Sequence, residues 1–246
     1  MKIATLSLVV ALQASLSLAA SFPTSISRDA LNVGQPSERL TVGLSYQEIE
    51  RGVDLDGGAE DLLLKANSAS LYIGYDILPW LTVFGTVGGV ELDDATEGVE
   101  TDAGLKISAG VSAYLWQVNI LEPIFMAGRF SFKPTAEVTQ YNTDSNVGDG
   151  SWIDAVVSLL LGYERFDQFP ASTQGIDTSL AVYIGPALSY MSGTIDSLEG
   201  DADFDASEDL GIVGGADIYL SPQVSLGVAF SVFDETTISG SLRFHL

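Results

Sequence analysis

The stretch LKISAGVSAYLW, residues 105 to 116, decides the fold class because apolar and small polar side chains alternate along it. A period of two over this length predicts an extended β-strand with two different faces, whereas a helix needs a period near 3.6. The two faces are Leu105, Ile107, Ala109, Val111, Ala113 and Leu115 on one side, and Lys106, Ser108, Gly110, Ser112, Tyr114 and Trp116 on the other.

The same alternation recurs along the chain and predicts about ten antiparallel strands. Eight or twelve strands are the alternatives that the sequence leaves open. Pro186 lies inside one segment and cannot donate to a ladder, so we expect a bulge or a locally unpaired position there. The segments are 39–49, 66–77, 81–92, 104–116, 121–133, 152–165, 178–192, 210–220, 223–233 and 237–246.

The residue types on the polar face favour a membrane barrel over a soluble β-protein. Soluble sheets place long charged side chains in water, whereas a membrane barrel turns small polar residues into its lumen. Here that face carries mainly Ser, Gly, Ala and Tyr, and the acidic residues collect between segments. The sequence therefore predicts an all-β, antiparallel transmembrane barrel with short periplasmic turns and long acidic outer loops, among them 50–65, 134–151 and 193–209, and a turn at QVNI, 117–120.

Composition limits what else the chain can be. It is 46% hydrophobic with a formal net charge of −23 and no cysteine, which disfavours nucleic acid as a partner and excludes disulfides. The N-terminus has Lys2 before an apolar run and small residues, which predicts a secretory signal peptide over 1–19. We expect a periplasmic segment over 20–38 and the barrel over 39–246.

The last ten residues, TISGSLRFHL at 237–246, indicate which class of membrane barrel this is. Their alternate apolar positions resemble the closing strand of bacterial outer-membrane β-barrels, and LYIGYDILPWLTVFGTVGG at 71–89 resembles a hairpin of small opacity, adhesin-like or porin-like barrels. The chain departs from that class by ending on Leu246 instead of phenylalanine. The resemblance implies an outer-membrane location, contact with lipids and lipopolysaccharide, and recognition of the C-terminal strand by the barrel assembly machinery.

Charged residues within the segments predict two ion clusters in the lumen, because isolated charges in a narrow interior are costly. We expect one cluster near the outer mouth and one at the periplasmic end. Such clusters would nearly close a small pore and leave a preference for small cations. The outer cluster is Lys106, Lys133 and Asp154, the periplasmic cluster is Arg243, Asp76, Glu164 and Asp217, and Arg129 also faces inward.

Residues that could carry chemistry are few. His245 is the sole histidine, and a hydrogen-bonded histidine at the periplasmic rim is favoured over a catalytic one. Asp201, Asp203 and Asp205 have the spacing of a calcium loop, but Ala206 and Ile212 stand where glycine and glutamate are required. We therefore expect no enzyme activity and no cofactor, with weak divalent binding at the three aspartates as the alternative.

Aromatic residues near the predicted strand ends suggest membrane-interface girdles. The girdle residues are Trp80, Trp116, Tyr75 and Tyr163 at the periplasmic side, and Trp152 and Tyr190 at the outer side.

The sequence leaves three hypotheses for the function of the protein. The favoured one is a narrow porin-like or structural surface protein with acidic extracellular loops. A surface adhesion or binding module is the alternative, and a lipid-modifying outer-membrane enzyme is less favoured.

Overall fold

The computed structural model describes residues 39–55, 62–92, 101–120, 128–145, 150–165, 179–197, 200–221 and 223–246. The predicted signal peptide and the 20–38 segment lie outside the described residues. None of the described residues belongs to a helix with the length and hydropathy of a membrane span. The strands are β1 Leu40–Leu55, β2 Leu62–Leu78, β3 Leu81–Leu92, β4 Thr101–Ala113, β5 Trp116–Ile120, β6 Gly128–Ser145, β7 Gly150–Arg165, β8 Ser179–Ser197, β9 Gly200–Ala206, β10 Leu210–Ser221, β11 Val224–Val232 and β12 Thr236–His245.

These strands close into a ten-stranded antiparallel barrel, as the alternation predicts. Consecutive strands pair except at two places, since β4 pairs with β6 beyond β5 and β8 pairs with β10 beyond β9, and β12 pairs with β1 to complete the ring. Strands β4 and β5 both pair with β6 and form one interrupted strand. We call the end that holds Leu40 and Leu246 the terminal end, and the end that holds the β11–β12 turn, residues 233–235, the loop end.

The outer wall carries a continuous apolar belt. In β2, β4, β8 and β11 the apolar face that the sequence indicates points outward, and the small polar face points inward. Water would not stabilise so wide an apolar surface, whereas hydrocarbon chains would, so the chain is a transmembrane β-barrel. Members of the belt include Leu44, Leu71, Ile73, Ile107, Val111, Val157, Leu161, Val182, Ile184, Leu226, Val228 and Phe244.

Several strand bounds differ from the prediction. The expected turn at 117–120 is wrong, because Gln117 to Ile120 pair with Ser131 to Gly128 as β5. Val118 is exposed on the outer wall, so the polar residues beside it belong to an alternating strand. The expected outer loop at 134–151 is also wrong in large part, since β6 continues to Ser145.

Strand β9 lies within the loop expected at 193–209 and changes the shape of the barrel. It pairs with β8 and, through Val53↔Ala206 to Leu55↔Phe204, with β1. Strands β11 and β12 do not reach the level of β9 in the barrel wall, because β11 ends at Val232 and β12 begins at Thr236. Beyond their turn β9 bridges β8 and β1 directly and takes the place that β10, β11 and β12 hold lower in the wall.

Pro186 has the effect that its missing N–H predicts. Pairing between β7 and β8 runs to Ser158↔Ala187 and resumes at Leu161↔Ile184 without a change of register. On its other side Pro186 keeps its place opposite Ile212 of β10. The proline therefore interrupts one ladder locally and leaves no bulge.

Candidate functional site

The lumen is the candidate functional site, since the charged residues expected to carry function point into it. At the loop end, however, most of the buried interior is apolar. We call this cluster the apolar plug, and its members come from the loop ends of seven strands. They are Ile49, Val53, Leu64, Ala66, Val90, Tyr141, Trp152, Met191 and Phe204.

Two aromatic rings form the middle of the apolar plug. Tyr141 and Trp152 stack with ring centroids 4.7 Å apart and an interplanar angle of 13°. The placement of Trp152 in an outer girdle is therefore wrong, because its side chain is only 2% exposed. Strand parity explains the correction, since Trp152 shares the inward face of β7 with Asp154 and Ser158.

The terminal half of the lumen holds buried charges beside apolar side chains such as Leu160 and Tyr183. Arg243 and Asp217 are almost completely buried, and Arg243 Nη1 lies 3.7 Å from Asp217 Oδ1. The Arg243 guanidinium also lies 5.4 Å from the Tyr72 ring centroid. Lys133 lies close enough that Asp217 attracts its charge and Arg243 repels it. We call Lys133, Asp217 and Arg243 the ionic cluster.

The structure corrects the place of Lys133. It was expected beside Asp154 near the outer mouth, but β6 begins at Gly128, so Lys133 enters in the terminal half. Its ammonium lies 5.6 Å from the Tyr114 ring centroid and 5.5 Å from that of Tyr183.

The other charges predicted for the periplasmic end also lie in the terminal half. Arg129 of β6 lies directly opposite Glu164 of β7 in the ladder. Glu164 is buried. Asp76 accepts a hydrogen bond from Thr82 Oγ1 near the end of β2.

Lys106 and Asp154 do meet, at a small cavity between the apolar plug and the ionic cluster. The cavity has a volume of about 40 Å³, and Gln47 and Glu137 also line it. Lys106 Nζ donates to Gln47 Oε1 at 2.6 Å and to Ser68 Oγ at 3.1 Å. Since one water needs roughly 10–15 Å³, this space holds a few waters and no hydrated solute.

Arg51 is a lumen charge that the sequence analysis missed. Its Nε lies 3.2 Å from Asp234 Oδ1, its Nη1 donates to Ser189 Oγ at 3.1 Å, and its Nη2 donates to the Glu208 carbonyl oxygen at 3.2 Å. The guanidinium also covers the Phe233 ring at 4.5 Å. One buried cation therefore joins β1 and β8 to the β9–β10 connection and the β11–β12 turn.

Glu137 was missed for the same reason as Arg51. Both lie in segments assigned to loops, at 134–151 and 50–65. Continuing the alternation of β1 and β6 beyond the predicted ends of these segments, 49 and 133, would have placed both side chains inward.

His245 joins three strands at the terminal end. Its Nδ1 lies 3.2 Å from Thr41 Oγ1 of β1, and its Nε2 lies 3.0 Å from Ser225 Oγ of β11. The ring stacks on Tyr219 at 5.8 Å. A serine beside a histidine resembles a nucleophile and its base, but a threonine occupies the place of the orienting acid.

The remaining predicted residues lie on the outer surface. Trp80, Trp116, Tyr75 and Tyr190 are exposed, and Tyr163 is partly exposed against Phe130. Alternation placed Trp116 on the inward face, but the interruption at Tyr114 and Leu115 lets Leu115 and Trp116 both point outward.

The three aspartates of the calcium hypothesis lie along β9. Asp203 and Asp205 are exposed, and successive side chains on one face of a strand are about 7 Å apart. An extended strand therefore does not wrap these carboxylates around one ion. Within the described ranges, no group of three or more acidic or histidine side chains is arranged to hold a metal.

Comparison with known proteins gives structural likeness only. No protein-family model and no curated protein sequence matches the chain. The outer membrane protease OmpT from Escherichia coli is similar at 9% identity and a TM-score of 0.48, covering 88% of this chain and 100% of that one. The COG4313 outer membrane channel from Pseudomonas putida F1 is similar at 12% identity and a TM-score of 0.36, covering 92% and 99%. At these values the likeness carries no argument about function.

Proposed function

We propose that the chain is an integral outer-membrane barrel with a filled lumen, which acts as a structural surface protein and not as an open pore. The observation that supports this proposal is the filling of the lumen along its length. The apolar plug occupies the loop end, the ionic cluster occupies the terminal half, and a cavity of about 40 Å³ separates them.

In this proposal the barrel has two kinds of partner, the lipids around its apolar belt and the machinery that inserts it into the membrane. Lipid and lipopolysaccharide chains cover the belt, and the barrel assembly machinery recognises β12. The alternate apolar residues of β12 point outward at Ile238 and Phe244, which is where a recognition surface must lie. Any binding at the cell surface would take place at the loop end. His245 has a structural role, because its two ring nitrogens contact Thr41 of β1 and Ser225 of β11 on either side of β12.

Planar-bilayer recording tests the filled lumen. Wild-type protein, with folding confirmed by heat-modifiable migration, should give no discrete conductance steps. A variant with Arg129→Gln and Lys133→Gln should also remain silent, because the apolar plug is untouched. Discrete cation-selective steps in wild type that increase in this variant would overturn the proposal in favour of the narrow porin-like alternative.

A further inference from the structure

Strand β9, which we call the strap, is held mainly by β8, with which it pairs at six positions. Beyond the β11–β12 turn it is the described element that closes the gap between β8 and β1. It meets β1 at three paired positions, Val53 to Leu55. Two further bonds support this seam, since Ser207 N donates to Gly52 O at 3.1 Å and Ser207 Oγ donates to Asp54 Oδ1 at 2.9 Å.

We call the short pairing between the strap and β1 the seam, and charges on the outer face of the strap destabilise it. Asp54 of β1 lies directly opposite Asp205, and both side chains are exposed. Like charges at directly opposed positions destabilise an antiparallel pair. Asp203 is exposed on the same face, so this face of the strap lies in water or among head groups and not in hydrocarbon.

The inner face of the strap carries one large apolar side chain. Phe204 is 2% exposed and belongs to the apolar plug together with Tyr141, Trp152 and Met191. A Cβ added to Gly193 would lie 2.8 Å from the Phe204 Cζ, so the neighbouring strand has no side chain where the ring sits. We call the space that the Phe204 ring fills within the apolar plug the chamber.

We propose that this chamber is a binding site for a neutral aromatic small molecule, which enters when the strap swings away from β1 and carries Phe204 out. Binding requires no conductance, because Lys106, Glu137 and Asp154 lie between the chamber and the terminal half. The proposal therefore stands or fails separately from the filled lumen tested by bilayer recording.

The test uses Trp152 as a reporter within the chamber. Of the three tryptophans, Trp80→Phe and Trp116→Phe remove the two on the outer surface. Bromobenzene, a neutral aromatic quencher that acts on contact, is the probe, and acrylamide serves as its polar counterpart.

A disulfide lock across the seam controls the strap. The chain has no cysteine, so Asp54→Cys with Asp205→Cys gives a single thiol pair. Directly opposed antiparallel residues have Cα atoms about 4.5–5.5 Å apart, within the range of a disulfide. The matched control is Ser151→Cys with Thr194→Cys, an outward pair between β7 and β8 that does not cross the seam.

The reduced seam variant should show saturable quenching by bromobenzene that is lost on oxidation and restored by reduction. The control pair should behave alike in both states. Phe204→Ala should tighten the bromobenzene titration by about tenfold, because it vacates the site.

Equal quenching in the locked and reduced states would overturn the proposal. Quenching that does not saturate, or acrylamide quenching as strong as that by bromobenzene, would also overturn it. Should Phe204→Ala fail to fold, the lock still decides the question, because it retains Phe204.

Discussion

The two ends of the lumen are filled in opposite ways within one wall. In the terminal half, Arg243 and Asp217 are buried inside while Leu71 and Ile73 face outward. At the loop end, Val53 and other apolar residues are buried inside while polar side chains such as Asp54 face outward. The terminal half has the polarity of a membrane barrel, and the loop end has that of a soluble barrel.

This reversal shows where the bilayer ends. Hydrogen bonding continues along the strands beyond the membrane, but the outer solvent changes from hydrocarbon to water, and the side chains change with it. The two regions should therefore respond differently to substitution. Loss of an ion partner leaves a buried charge in one region, while loss of an apolar group leaves a cavity in the other.

The largest effect is expected at the ionic cluster. Arg243→Ala should lower the free energy of unfolding by about 4 kcal/mol, because it removes the guanidinium 3.7 Å from the buried Asp217 carboxylate and leaves Lys133 as the remaining cation of the ionic cluster. Urea titration in lipid vesicles, followed by heat-modifiable migration, measures the loss. Arg243→Met combined with Asp217→Leu is the control and should recover much of it. A loss below about 1 kcal/mol in the single variant would show that water reaches Asp217.

The apolar plug should respond through packing. Trp152→Ala should cost about 3 kcal/mol, because it removes a large buried ring that stacks on Tyr141. Trp116→Ala is the matched control, since Trp116 is 53% exposed on the outer wall, and should cost about 1 kcal/mol or less. The same titration compares the two. An equal loss of unfolding free energy in the two variants would show that Trp152 does not lie in a packed interior.

The position of the bilayer boundary can be tested on one face of β2. Leu71→Lys should cost about 2 kcal/mol or more, because it puts a cation in the apolar belt, whereas Asn67→Lys should cost about 0–1 kcal/mol near the interface. Both side chains face outward on the same strand, four residues apart. Equal costs in vesicles would move the boundary towards the loop end.

The smallest effect concerns an exposed ion pair. Lys65 Nζ lies 2.6 Å from Glu50 Oε1, with both side chains about a third exposed. Lys65→Gln should change stability by roughly 0.5 kcal/mol or less, because solvent screens the pair. Raising the salt concentration should remove even this difference, and a loss as large as that of Trp152→Ala would contradict the account.

The reversal also explains what the sequence could predict. Ten strands, their antiparallel order and the outward belt follow from alternation between apolar and small polar residues. Prediction stopped near Ile49 because the outward positions of β1 become polar there, and it stopped near Lys133 although Ala136 and Val138 continue the outward apolar face of β6. Arg51 and Glu137 were therefore not predicted as lumen residues, because both lie in the parts of β1 and β6 that were taken for loops. Strand β9 was missed because its outward aspartates suggested a loop, while Phe204 alone indicates a buried face.

The most direct test of the filled lumen is thiol labelling at inward serines, which the absence of native cysteine makes possible. Ser70→Cys and Ser158→Cys place thiols at buried positions on opposite parts of the wall, and Ser151→Cys places one at an exposed position near the loop end. A membrane-impermeant, hydrophilic maleimide is added to folded protein in vesicles and to protein unfolded in urea. The account predicts that Ser151→Cys labels in both states, while Ser70→Cys and Ser158→Cys label only when unfolded. Labelling of both buried thiols in the folded barrel, at the rate of Ser151→Cys, would show a water-filled lumen and contradict the account.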